Sequence, residues 1–154
     1  MAFELKEMLL TSDAARLLIG ELNAETLGKY PEPGATHFRL DEEEVVPGTG
    51  LFLVAYDDGA PVGCGAIRKI EPHVAEIKRM YVRPSARGRG VASRILDALE
   101  VEARRLGASR LVLETGARHL EAMALYTRRG FTPVEPFGEY VDSPLSVCLG
   151  RSLV

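Results

Sequence analysis

The stretch Ala75–Ala92, A-E-I-K-R-M-Y-V-R-P-S-A-R-G-R-G-V-A, leaves few folds open to this chain. Ala75–Val82 reads as a strand. Arg87-Gly88-Arg89-Gly90 reads as a glycine-basic turn, and a long helix begins directly after it. Ala92, Ile95, Leu96, Leu99, Ala103 and Leu106 recur at helical spacing, and Gly107 is a natural C-terminal stop. Arg110–Glu114 is the next strand, so the strand–helix–strand crossover requires a parallel neighbour within a sheet. The turn brings bare N–H groups and the positive end of a helix dipole to one spot, which suits phosphate. Amides from Arg87 to Ala92 can converge there because Gly88 and Gly90 let the backbone come close. Arg87 and Arg89 add guanidinium groups that fork onto phosphate oxygens. A mononucleotide P-loop would need Gly-Lys-Ser/Thr, but Val91 follows Gly90. The dinucleotide fingerprint would need glycine where Ser93 stands. On this stretch alone, a basic turn that binds nothing remains open.

Around this unit the chain reads as alternating elements. Phe3–Leu10 is a first strand. A helix follows, capped by Ser12 and Asp13, with Ala14, Leu18 and Leu22 on one face, and is stopped by Gly28 and Pro31. Pro31, Pro33, Gly34, Pro47, Gly48 and Gly50 make residues 31–50 the least regular part. The carboxylate run Asp41–Glu44 reads either as a solvated turn or as an acidic rim for a cationic acceptor. Leu51–Tyr56, a tight turn at Asp57-Asp58-Gly59, Pro61–Ile70 and Ala75–Val82 form an antiparallel meander. Gly63 and Gly65 mark a close neighbour or a bulge. Glu100 and Arg104 lie a turn apart and can pair. Leu120–Arg129 is a second amphipathic helix ended by Gly130, and Phe131–Val134 and Pro144–Leu149 are closing strands.

At 154 residues the chain suits one domain with a proper core. A formal charge of −3 gives no support for nucleic-acid binding. No apolar run is long enough to cross a bilayer, so no membrane role is expected. The N-terminus lacks the layout of a signal peptide. Cys64 and Cys148 read as buried free thiols rather than a disulfide. These features together favour the cytoplasm. His37 and His73 are isolated, and no metal-ligand spacing exists, so no metal is expected.

Arg87-x-x-Gly90-x-Ala92 after Glu76–Val82 resembles the acetyl-CoA signature of the GNAT N-acetyltransferase superfamily. Ala122-Met123-Ala124-Leu125-Tyr126-Thr127-Arg128-Arg129-Gly130-Phe131 is similar to a second block of the same family, in the right order and spacing. The likeness is good from about residue 50 to 150 and poor before. It implies an α/β domain of the acyl-CoA N-acyltransferase fold. The expected sheet is central, twisted and mostly antiparallel, with about six to seven strands and helices on both faces. Residues 1–50 become the substrate side and 51–150 the acetyl-CoA-binding core. The resemblance further implies a strand that splays after Val82, with backbone groups at Met80, Tyr81 and Val82 pairing with the pantetheine amides like an added strand. Arg87, Gly88, Arg89, Gly90, Val91 and Ala92 then hold the pyrophosphate. His119 stands where the family often has Asn, so a ring N–H contact to the cofactor competes with a capping or surface role.

Acyl transfer from a thioester to an amine requires that the amine lose a proton, the oxyanion be stabilised and the thiolate be protonated. The resemblance makes Tyr126 the acid, since a phenol of pKa about 10 keeps its proton at neutral pH. A strand N–H near Met80 or Tyr81 would serve the oxyanion. Glu76 aligns with a base found in some members; the alternative is that it pairs with a strand neighbour or orients the acceptor. Glu114, Glu139 and Tyr140 are further candidates for the acceptor pocket. Together these imply an acetyl-CoA-dependent N-acetyltransferase acting directly on a small-molecule or peptide amine, with a homodimer as the family's common assembly. A non-catalytic acyl-CoA sensor, or a donor such as succinyl-CoA, is the rival reading.

Overall fold

The computed structural model describes residues 2–33, 35–37 and 40–154; Gly34, one of the breakers named above, lies outside them. The elements are β1 (Phe3–Glu7), α1 (Asp13–Lys29), β2 (Gly50–Asp57), β3 (Ala60–Glu71), β4 (Val74–Val82), α2 (Val91–Arg105), β5 (Arg110–Gly116), α3 (Leu120–Arg128), β6 (Thr132–Pro133) and β7 (Ser146–Ser152). The strands form one sheet of seven, in the order β1-β2-β3-β4-β5-β7-β6. The β4–β5 pair is parallel and its neighbours are antiparallel.

Local chemistry sets the element ends. The Ser12 hydroxyl accepts from the Ala15 N–H at 3.2 Å, capping α1; such a cap is worth about 1 kcal/mol. The β2–β3 turn puts both Asp58 (φ 49°) and Gly59 (φ 84°) in the left-handed region, as a two-residue hairpin turn of matching twist demands. A short 3-10 helix, Glu42–Val45, is the regular structure within residues 40–49.

Alternation along β2 feeds two cores. Leu51 and Leu53 join Ile67 and Ile77 beneath Ile95, Leu96 and Leu99 of α2. Phe52 and Val54 join Cys64, Ala66 and Tyr81 against Ala15 and Leu18 of α1. Helices therefore cover both faces, as anticipated. Both readings of Gly63 and Gly65 hold. A Cβ on Gly65 would lie 2.6 Å from Met80 Sδ and 2.7 Å from Ile95 Cγ2, so α2 rests directly on bare backbone. A bulge sits opposite: Ala66 pairs with Lys78 and Cys64 with Tyr81, so Gly65 alone faces Arg79 and Met80. Arg79 takes φ 59° there, a conformation that costs a non-glycine residue about 1–2 kcal/mol.

Two details differ from the sequence reading. Glu100 pairs with Arg151 of β7, not with Arg104, whose guanidinium donates to the Leu153 carbonyl at 3.4 Å. The closing strands shrink and shift, to Thr132–Pro133 and Ser146–Ser152; β6 is the edge of the sheet, where a proline is tolerated. Cys64 and Cys148 are buried and unpaired. Among the described residues, no helix is long and apolar enough to cross a membrane.

Candidate active site

The parallel pairing of β4 with β5 runs from Val74↔Arg110 to Ile77↔Leu113 and stops. Both strands continue, β4 to Val82 and β5 to Gly116, so beyond Ile77 they part. A cavity of about 720 Å³ lies along this opening. Its lining takes in Met80, Tyr81 and Val82 of β4, the turn residues Arg87, Gly88 and Gly90, then Val91 and Ala92, and His119 and Tyr126 of α3. Arg89 and Glu76 do not line it.

At one end stands the turn. Gly88 (φ 80°) and Gly90 (φ 79°) are both left-handed. A Cβ on either would meet nothing within 4 Å, so backbone conformation, not lack of room, requires glycine. Gly90 is the N-cap of α2 and no side chain caps that end, which leaves the first-turn amides available. Arg87 donates to Glu25 at 2.9 and 3.1 Å and to the Val82 carbonyl at 2.8 Å, while Arg89 reaches Asp57 at 3.4 Å. The guanidinium groups beside the turn are thus shared with carboxylates of α1 and β2.

Tyr126 sits midway. It is buried at 5 % exposure, with its ring edge-on to Phe131 at 5.7 Å. Burial, and then the charge of Glu114, push its phenol above the ordinary range, so it holds its proton at neutral pH. Its hydroxyl has no hydrogen bond to a described residue. His119 occupies the N-cap position of α3 but makes no side-chain capping bond, which removes the capping role. It is half-buried against Tyr30, with ring centres 5.3 Å apart. Burial and then Lys29 lower its pKa, so the ring is neutral at pH 7. Tyr30 itself was not anticipated. Its hydroxyl accepts the Arg118 N–H at 2.5 Å, and its ring occupies the space a Cβ on Gly116 would need. It ties the end of α1 to the β5–α3 loop.

The far end is a polar cluster on the α1 face of the sheet. Glu76, 1 % exposed, accepts from Arg68 Nε at 2.8 Å and Nη2 at 2.7 Å through one oxygen, and from the Tyr140 hydroxyl at 2.7 Å through the other. Arg68 is its cross-strand neighbour. Glu76 thus does not line the cavity; it pairs with its strand neighbour Arg68 and holds the Tyr140 hydroxyl, and Tyr140 does line it. Arg68 also binds Glu44 at 2.5 Å, so this member of the acidic run is an internal counter-ion. Lys78 Nζ donates to the Tyr140 hydroxyl at 3.2 Å and stands 3.8 Å from Glu139. Burial, then Glu76, push the Tyr140 phenol far up. Glu114 lines the cavity. Burial raises its carboxyl, and Ser146 donates to it at 2.5 Å. Ser146 meets Ser143 at 2.7 Å, and Ser143 meets His37 Nε2 at 2.9 Å. His37, isolated in sequence, therefore closes over this end. Lys78, Arg79 and His37 carried no sequence signal, because their partners lie tens of residues away.

Comparison with known proteins agrees with this geometry. The model of the acetyltransferase (GNAT) family matches residues 17–131. An IAA acetyltransferase of Azospirillum brasilense is 40% identical over 142 residues, covering 92% of each chain. An acyl-CoA N-acyltransferase structure from Klebsiella pneumoniae superposes with a TM-score of 0.85 at 33% identity, over 99% of this chain and 98% of that one. An N-acetyltransferase from Thermoplasma acidophilum, in complex with coenzyme A, shares the fold with a TM-score of 0.74 at 16% identity, over 99% of each chain. Parted strands, an amide-lined turn and the run of matched residues converge on one conclusion: the chain belongs to the GNAT family of acetyltransferases.

Proposed function

We propose that this acetyl-CoA-dependent N-acetyltransferase passes the acetyl group directly to an amine inside the 720 Å³ cavity. The observation that carries this reading is the parting of β4 from β5 beyond Ile77, with the α2 amides at one end and Tyr126 on the wall. The Arg87–Ala92 turn takes the pyrophosphate, and backbone groups at Met80, Tyr81 and Val82 pair with the pantetheine amides. His119 contributes a ring N–H to the cofactor. Arg89, turned toward Asp57, adds charge at the rim.

Glu114 is the group best placed to take the first proton from the acceptor ammonium, since it lines the cavity and its carboxyl is raised. Glu76 then acts as a positioning residue that fixes Tyr140. The freed amine attacks the thioester carbonyl, and the Met80 or Tyr81 N–H faces the oxyanion. A C–N bond forms and the C–S bond breaks. Tyr126 gives its proton to sulfur and is reprotonated by the second nitrogen proton, so one proton reaches solvent per turnover. Residues 1–50 form the acceptor side through α1 and His37. Replacing Tyr126 by Phe and following thiol release with acetyl-CoA tests the reading. A fall in kcat of about 100-fold or more is expected. An unchanged kcat and pH profile removes Tyr126 as the acid, and tight binding without turnover in the wild type would favour a sensor. Free Cys64 and Cys148 suit a reducing, cytoplasmic setting. Light scattering that gave the mass of one chain would refute the homodimer.

A further inference from the structure

We propose, resting on the acyl-transfer reading above, that Ser146, Ser143 and His37 form a proton relay that drains Glu114 while both substrates fill the cavity. That reading sends one proton to solvent per turnover, and Glu114 on the cavity wall is where it lands first. Glu114 Oε2 accepts from Ser146 Oγ at 2.5 Å, Ser146 Oγ lies 2.7 Å from Ser143 Oγ, and Ser143 Oγ lies 2.9 Å from His37 Nε2. Every link is of hydrogen-bond length. His37 Nδ1 then faces Glu139 Oε1 at 3.5 Å. Glu114 and His37 line the cavity, whereas Ser143, Ser146 and Glu139 do not. The chain therefore runs behind the cavity wall, from a half-buried carboxylate to an exposed one.

The fold sets these groups in line. Ser146 pairs with Gly116 across the β5–β7 ladder, so it sits diagonally from Glu114 on the same face. A tight turn places Ser143 beside it: the Ser146 N–H donates to the Ser143 carbonyl and the Ser143 N–H to the Tyr140 carbonyl, each at 3.1 Å. Facing His37 are Glu139 and Tyr140 of the 3-10 turn Gly138–Tyr140, Glu114 of β5 and, beyond Glu139, Lys78 of β4. An alkylammonium has a pKa of about 10, so a proton left on a carboxylate returns to the amine. Passing it onward keeps the amine free to attack. An ammonium N–H bond breaks and Glu114 gains the proton on Oε1. The carboxyl turns to offer it to Ser146, and three shifts follow in one sense: Glu114 to Ser146 Oγ, Ser146 to Ser143 Oγ, Ser143 to His37 Nε2. The imidazolium releases its Nδ1 proton to water beside Glu139, and Ser146 is left as the donor to an ionised Glu114. Exchange of the ring tautomer with solvent resets the chain. Imidazole suits the last place because it takes and gives a proton near neutral pH.

The test uses the full chain, acetyl-CoA and thiol release. The acceptor is whichever of the common L-amino acids, spermidine, glucosamine and 2-phenylethylamine the wild type acetylates fastest. Ser143→Ala is expected to lower kcat about ten-fold, with the calorimetric Kd for coenzyme A unchanged. Ser143→Thr, which keeps the hydroxyl, recovers part of the loss. His37→Ala loses as much as Ser143→Ala, and added imidazole restores it, because a free ring re-enters at the end of an intact chain. Pyrazole, of the same shape but far weaker as a base, does not restore it. Imidazole does nothing for Ser143→Ala, whose chain is cut. Thermal unfolding of each variant separates a cut chain from a lost fold. An unchanged kcat in folded Ser143→Ala and His37→Ala, or equal rescue by imidazole and pyrazole, overturns the relay and leaves acyl transfer intact. Thiol release with no member of the panel overturns the relay together with acyl transfer to amines.

Discussion

In the proposed mechanism, burial makes Tyr126 a reluctant acid until sulfur departs, and it makes Glu114 a better base than a carboxylate in water. The two effects have opposite kinetic signatures. The acidic limb of kcat/KM is expected to fall at a pH above the ordinary carboxylate value, because Glu114 must be ionised and its pKa is raised. The limb disappears, with activity down about 100-fold, in Glu114→Gln. Stability carries the same sign: a raised carboxyl stabilises fully at low pH and loses that contribution as pH rises through its folded pKa. Glu114→Gln is therefore expected to unfold no more easily than wild type at neutral pH. Glu76→Gln behaves differently. It leaves a largely buried guanidinium with Glu44 alone, and denaturant unfolding is expected to show a loss of about 3 kcal/mol, the low end for a broken buried pair. Tyr126 and Glu76 could be singled out in the sequence because they sit inside short blocks of local pattern. Lys78 and Arg79 were not. Their meaning depends on a bulge and on Tyr140 and Asn23, which meet them only in three dimensions.

At the scale of elements, α2 depends on two positions without side chains. A methyl on Gly65 would press on Met80, Ile95 and Leu99 at once. Gly65→Ala is expected to cost about 1–3 kcal/mol in chemical unfolding, as overpacked cores do. It should also raise KM for acetyl-CoA, because α2 carries the Gly88–Gly90 turn. Strand and helix periods, the Ser12 cap and the stops at Gly107 and Gly130 made α1, α2, α3 and β2 to β5 readable. Residues 31–50 had no such period. Part of their order comes from distant partners, Glu44 on Arg68 and His37 on Ser143, which no local pattern announces. The short β6 was over-read because an apolar run near a chain end looks like a strand whether or not an edge has room for it.

At the scale of the molecule, one chain builds two half-sheets that meet fully only at their base. Coenzyme A at a hundred times its Kd is expected to add about 2.7 kcal/mol of stability, if it binds the folded form alone. For a domain of this size that corresponds to about 5–10 °C in Tm, read by scanning fluorimetry. The fork past Ile77 also leaves main-chain groups on the β5 side of β4 no longer paired with β5, in the middle of a hydrophobic sheet. Such a groove cannot tell a thiol-bearing arm from any other extended polyamide of similar reach. It invites competitive blockade by short peptides lying in strand form, and it makes spent carrier, which keeps the same arm after giving up its acyl group, a natural brake on turnover.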